Sequence, residues 1–141
     1  MKRYLPVIIT FGVIFVVLIL LTYWEPRKKD VLDAGIWRVE ELNSTPMLEF
    51  STLTLRFHNR KISGSSECNR FTGRYEITGE EITIKVLERT TDECMQPGII
   101  EQDDAFIDNL EAAARFSFSE NELKLYSEEG QELLDLSLMA K

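Results

Sequence analysis

The residues best able to do chemistry in this 141-residue chain are its two cysteines, Cys68 and Cys94, its one histidine, His58, and the polar side chains around the first cysteine. From Ile62 to Tyr75 the sequence reads Ile-Ser-Gly-Ser-Ser-Glu-Cys-Asn-Arg-Phe-Thr-Gly-Arg-Tyr, so Gly64 and Gly73 bracket a Cys-Asn-Arg triplet. Cys94 follows a Thr-Thr-Asp-Glu run that opens at Thr90. Three states are open to the thiols: a disulfide between two loops, two buried free thiols, or a share of a metal site. A structural zinc takes four ligands, and two cysteines with one histidine fall short of that. A disulfide closing a loop of this length stabilises by about 3–4 kcal/mol in the chain-entropy model. The expectation is a Cys68–Cys94 bridge and no metal.

Asn69 and Arg70 beside a thiol invite a catalytic reading. Asparagine more often fixes a loop by bonding nearby backbone, and that is the expectation here. Thr90 and Thr91 have no base partner in the sequence and are expected to bond backbone. Gly64 and Gly73 are expected to adopt backbone angles that other residues resist. Asp103, Asp104 and Asp108 read as the solvated face of a helix. A phosphate cradle would require a glycine-rich loop opening a helix, which the sequence lacks. No catalytic residue and no cofactor is assigned.

The elements that must position these residues are mostly strands. Trp37 to Leu42 reads as a first strand, broken at Asn43-Ser44-Thr45-Pro46. Leu53, Leu55 and Phe57 alternate with polar residues, the period of a half-buried strand, and Asn59-Arg60 turns the chain into Lys61 to Ser63. The glycine-bracketed stretch reads as loop-like. Arg74 to Thr78 and Ile82 to Val86 form a hairpin about Gly79-Glu80. Between Pro97 and Ala114 the period lengthens: Ile100, Ile107, Leu110 and Ala114 mark an amphipathic helix, with Phe106 and Ala113 widening its stripe. Strands follow at Phe116 to Phe118, Leu123 to Leu125 and Leu134 to Leu138. The fold class expected is mainly β (α+β). It is a curved antiparallel sheet or partial barrel of about seven or eight short strands, packed by one amphipathic helix.

The N-terminus is of another kind. Tyr4 to Trp24 carries no charge, and as a helix it would span roughly 30 Å, the thickness of a bilayer core. A cleaved signal peptide has a shorter apolar core and small residues at its cut site. The expected organisation is a transmembrane anchor over 1–24, a linker over 25–35 and a domain over 36–141. After Trp24 there are 14 basic and 24 acidic residues, 14 − 24 = −10. That balance argues against a nucleic-acid partner, which needs a basic face, and against docking flat on anionic lipid.

The run Gly-Ser-Ser-Glu-Cys-Asn-Arg-Phe-Thr-Gly-Arg-Tyr resembles the signature of the META/HslJ family, in which a glycine-led turn precedes Cys-Asn and a glycine and an aromatic follow. Trp37 at the domain start, the Thr90 to Cys94 segment and the helix after it support the resemblance, which covers Ile36 to Met139. The motif residues here are Gly64, Cys68, Asn69, Arg70, Phe71, Gly73, Tyr75 and Thr90. The resemblance implies a small antiparallel barrel-like domain of bacterial envelope proteins, with a heat-inducible relative linked to novobiocin resistance, and no established enzymatic activity.

The function expected is therefore that of a non-enzymatic, membrane-tethered envelope module. It would serve stress response or envelope maintenance by binding a protein or a lipid-like ligand. The alternatives are a carrier of an apolar ligand between sheet and helix and, more remotely, an enzyme. Flanking charge leaves topology open, since Arg27, Lys28 and Lys29 follow the apolar run as Lys2 and Arg3 precede it. The cysteine pair favours an oxidising compartment, and so a single-pass protein with its domain on the periplasmic side of the cytoplasmic membrane.

Overall fold

The computed structural model describes residues 31–66, 68–92 and 95–140. The expected anchor over 1–24 and most of the linker lie outside the described residues, and no helix among the described residues is long and apolar enough to cross a membrane. Among the described residues, nine strands and one helix follow one another as β1 (Ile36–Leu42), β2 (Thr45–Pro46), β3 (Thr54–His58), β4 (Lys61–Ser65), β5 (Arg70–Thr78), β6 (Glu81–Arg89), α1 (Ile99–Ala112), β7 (Arg115–Ser119), β8 (Glu122–Tyr126) and β9 (Glu132–Ala140).

Alternating sequence produces alternating burial. Along β5 the inward residues Phe71, Gly73 and Tyr75 are buried and Arg70, Thr72 and Arg74 between them are exposed. Tight reversals join the strands. Asn43 and Ser44, and again Asn59 and Arg60, take positive φ in pairs, the geometry of the two-residue hairpin turn that matches strand twist. The ladders are antiparallel throughout, and β1 pairs with β2 and β3 on one side and with β9 on the other, so the sheet returns to its start. This is a ring with a seam rather than a barrel: β6 and β7 share only the Glu81–Arg115 ladder pair.

Helix α1 is inserted at that seam, between β6 and β7 in sequence, and packs against β6 and β9. It begins after Gly98, whose φ of 84° lies in the left-handed region. Its Phe106 and Leu110, 1% and 0% exposed, join Trp37, Phe57, Tyr75, Leu123 and Leu134 in one core. Aromatic rings meet edge to face inside it, Phe57 with Tyr75 at 4.9 Å between centroids and Phe71 with Phe106 at 5.5 Å. Such pairs add to area burial because ring edges and faces carry opposite partial charge. Where β6 has no strand beyond it, the helix supplies an acceptor: Val86 N–H donates to Glu111 Oε1 at 3.0 Å.

Several expectations change. The strands number nine, the addition being the two-residue β2 where a break was expected, because Pro46 can pair at an edge. The stretch bracketed by Gly64 and Gly73 is not a loop but part of the β4–β5 hairpin, with only the connection between Ser65 and Arg70 outside the ladder. Ile100 stands 46% exposed, and Ile99 takes the buried place beside it. Asp103, assigned to the solvated face, is 2% exposed.

Candidate functional site

The signature residues gather where the Ser66–Asn69 connection meets α1. Asp103 points inward between them, and its Oδ2 accepts from Ser66 Oγ at 2.6 Å and from Asn69 Nδ2 at 3.1 Å. The Asn69 amide works in both directions. Its Oδ1 accepts from the Asp92 N–H at 2.8 Å and from Thr90 Oγ1 at 3.2 Å. Thr90 Oγ1 in turn accepts the Arg70 N–H at 3.0 Å. Ser66 closes its own turn, its N–H donating to the Asn69 carbonyl at 2.8 Å and its Oγ accepting the Asn69 N–H at 3.1 Å. One asparagine therefore clasps three segments: the β4–β5 connection, the chain after β6, and the helix.

A buried carboxylate is costly unless it is hydrogen-bonded, and half of this one is not: Asp103 Oδ1 is the buried side-chain atom without a partner among the described residues. Beside it lies a cavity of about 10 Å³, lined by Asn69, Arg70, Arg89 and Phe106 among others. That is room for about one water, which would give Oδ1 its missing donor. Arg89 reaches over the same place to pair with Asp104 at 2.6 Å. The Arg89 guanidinium there does not suit a metal cation. Asp104 and Asp108 are exposed, in keeping with their expected face.

The other signature residues have structural positions. Gly64 and Gly73 do not take positive φ, contrary to expectation. They are glycines because neighbours press on them: a Cβ at Gly64 would collide with the Phe71 ring and the Thr54 carbonyl, and one at Gly73 with the Lys85 carbonyl. Phe71 and Tyr75 are core residues, whereas the Arg70 side chain projects to solvent. Cys68 is half-buried in the turn just before Asn69, and no described cysteine is a free thiol. Cys94 lies outside the described residues, as does any geometry of the expected bridge. His58 is exposed, its Nδ1 2.8 Å from Asp33 Oδ2.

The sequence reading placed Asp103 with Asp104 and Asp108 on the solvated face, because an aspartate among aspartates on a helix gives little sign of which one turns inward. The spacing did hold a clue: Asp103 stands three residues before Phe106 and four after Ile99, on the buried stripe. The carboxylates Glu41, Glu132 and Asp135 also come within metal-ligand reach of one another. Lys124 Nζ already neutralises two of them, at 3.2 Å from Glu132 and 3.0 Å from Asp135. Those bonds hold the Lys124 ammonium well above its ordinary range.

Fold and site together define a small, mostly β domain with one helix, in which a Cys-Asn turn is clasped to the helix by a buried carboxylate. The chain belongs to the META domain family, whose model matches residues 30–139. Among solved structures it is similar to a protein solved by NMR, at 28% identity and TM-score 0.60, over 76% of this chain and 91% of that one. A second NMR structure, of a protein from Burkholderia xenovorans, gives 21% identity and TM-score 0.63 over 79% and 86% of the two chains. A DUF4847 family protein from Bacteroides vulgatus gives 12% identity and TM-score 0.60 over 78% and 96%, a likeness of fold. Comparison with curated proteins finds no match.

Proposed function

We propose that this META domain is a membrane-tethered, non-enzymatic envelope module that acts through its outer surface, in stress response or envelope maintenance. The observation that carries the proposal is how the site spends its polar groups. Ser66, Asn69, Thr90 and Asp103 bond one another and the backbone, and the gap left beside them has room for about one water. A carrier of an apolar ligand needs a few hundred cubic ångströms inside. Between sheet and helix that volume is filled by Phe71, Phe106, Leu110 and their neighbours. Binding is left to the outside.

Tethering rests on the uncharged run Tyr4 to Trp24. A domain outside the cytoplasmic membrane, with Cys68 bonded to Cys94, rests on the absence of a free thiol among the described residues and on the persistence of disulfides in oxidising compartments. Alkylation of intact cells, gel mobility with and without reductant, and protease treatment of spheroplasts test these points. The expected result is two thiols protected until reduction and a domain cleaved from outside. Two freely alkylated cysteines with a protease-shielded domain overturn the placement.

A further inference from the structure

Net charge conceals a segregation that the strand register makes visible. Residues 54–89 carry seven Lys and Arg against five Asp and Glu, 7 − 5 = +2, whereas residues 90–141 carry three against thirteen, 3 − 13 = −10. On the outer face of β3 to β6 the basic residues fall into register. His58, Lys61, Arg74 and Lys85 form one cross-strand row, and Arg56, Ser63, Thr72 and Glu88 the next. Thr54, Ser65 and Arg70 form a third. Arg56, Lys61, Arg70, Arg74 and Lys85 are all exposed. None is among the cations that pair with a carboxylate in the described residues. Glu76, Glu81 and Glu88 are the acidic members of the face, fewer than its five exposed Lys and Arg.

The middle of this face is an open depression of about 330 Å³, whose rim includes Thr54, Arg56, Ser63, Ser65, Arg70 and Thr72. Hydroxyls between guanidinium groups suit phosphate oxygens, because both kinds of donor bond them and arginine does so in a planar fork. A depression this open encloses no single ion, so it fits an extended anionic surface better than a small anion. Ile36 lies on the same rim, opposite Arg56, at the start of β1. The chain thus enters the domain from its linker beside the basic face.

We propose that the outer face of β3 to β6 docks on anionic phospholipid headgroups of the membrane that holds the chain's own N-terminal segment. The proposal rests on the tethered reading. Attraction of basic side chains to an anionic surface fades within a Debye length, roughly 8 Å at physiological salt. The acidic remainder, centred on α1 and β7 to β9, is repelled by the same surface. Attraction on one side and repulsion on the other orient the domain, so the overall negative charge does not forbid docking but selects which face approaches.

The test places the full chain in nanodiscs of phosphatidylcholine, with or without phosphatidylglycerol, and with a trace of lipid spin-labelled at the headgroup. Amide broadening at Ser63, Thr72 and Arg74 is compared with that at Lys124 and Asp135. The expected result is broadening at least about three-fold greater on the first set in anionic discs. The excess is lost in neutral discs, in high salt and in the exposed double variant Arg56→Glu/Arg74→Glu, whose unchanged core resonances show that it folds. Equal broadening in both lipids, or stronger broadening over β8 and β9, overturns the docking while leaving the tether in place. Broadening of this face by self-titration without lipid marks a second copy as its occupant and also overturns it. Failure of the chain to float with either lipid after alkaline wash overturns the tethered reading, and the docking with it.

Discussion

Replacing Asn69 with alanine should be among the costliest single changes outside the apolar core. The side chain is 7% exposed and makes three hydrogen bonds, to Asp103, Thr90 and the Asp92 N–H. At about 1 kcal/mol net for each, the bonds alone account for about 3 kcal/mol. Asp103 would also keep only Ser66 as a donor to a carboxylate with one oxygen already unpartnered. A buried charge stripped of a donor costs about 1–3 kcal/mol more, so the expected loss is about 4–6 kcal/mol. Urea unfolding of the full chain in detergent micelles, followed by near-ultraviolet circular dichroism, measures it. A second variant isolates the polarity. Asn69→Asp keeps both acceptor bonds but sets one carboxylate against another across the 3.1 Å contact. Adding Asp103→Asn exchanges donor and acceptor and should recover most of the loss. An Asn69→Ala cost below about 1 kcal/mol, or a double variant no more stable than Asn69→Asp alone, refutes the clasp.

Two further expectations concern the helix and a strand edge. Leu110→Ala should cost about 2–5 kcal/mol, because the side chain is fully buried, whereas Ile100→Ala on the exposed side should stay within about half a kcal/mol; equal costs would mean that the helix is rotated. Glu40 is held below the ordinary carboxylate range, first by the Ser137 hydroxyl and then by Arg38. Its folded state is favoured above the ordinary value of 4.5, and that contribution is lost as pH falls through the lowered pKa. Ser137→Ala should therefore move the Glu40 titration upward in a carboxyl-detected NMR series and weaken this part of the acid dependence; an unmoved titration would discount the hydroxyl.

Much of the fold was legible because a half-buried strand has a period of two and an amphipathic helix has one near 3.6. Leu53, Leu55 and Phe57, or Ile82, Ile84 and Val86, announce themselves in this way. The hairpin around Cys68 was not legible, since Ser63, Gly64 and Ser65 have neither the bulk nor the branching of a typical strand. The missing side chain of Gly64 serves the Phe71 ring, which sits where a Cβ would be. The family motif pointed to Asn69 and Thr90 but not to the carboxylate that ties Asn69 to the helix. Asp103 lies 34 residues after Asn69, and the hydrogen bond joining them is a property of tertiary contact alone.

The ladder between β1 and β9 joins residues about a hundred positions apart, from Leu42 with Leu134 to Ile36 with Ala140. During synthesis β1 can pair with β2 and β3 almost at once, but its other edge has no native neighbour until the ninth strand has emerged. Pairing at such separation is slow to find, and an unpaired edge recruits strands from other molecules meanwhile. The newly made domain therefore passes through a period in which it is nearly complete and still open along one side. In that interval, how much of the protein reaches its closed form depends on whether β9 arrives at the free edge of β1 before a strand of another molecule does.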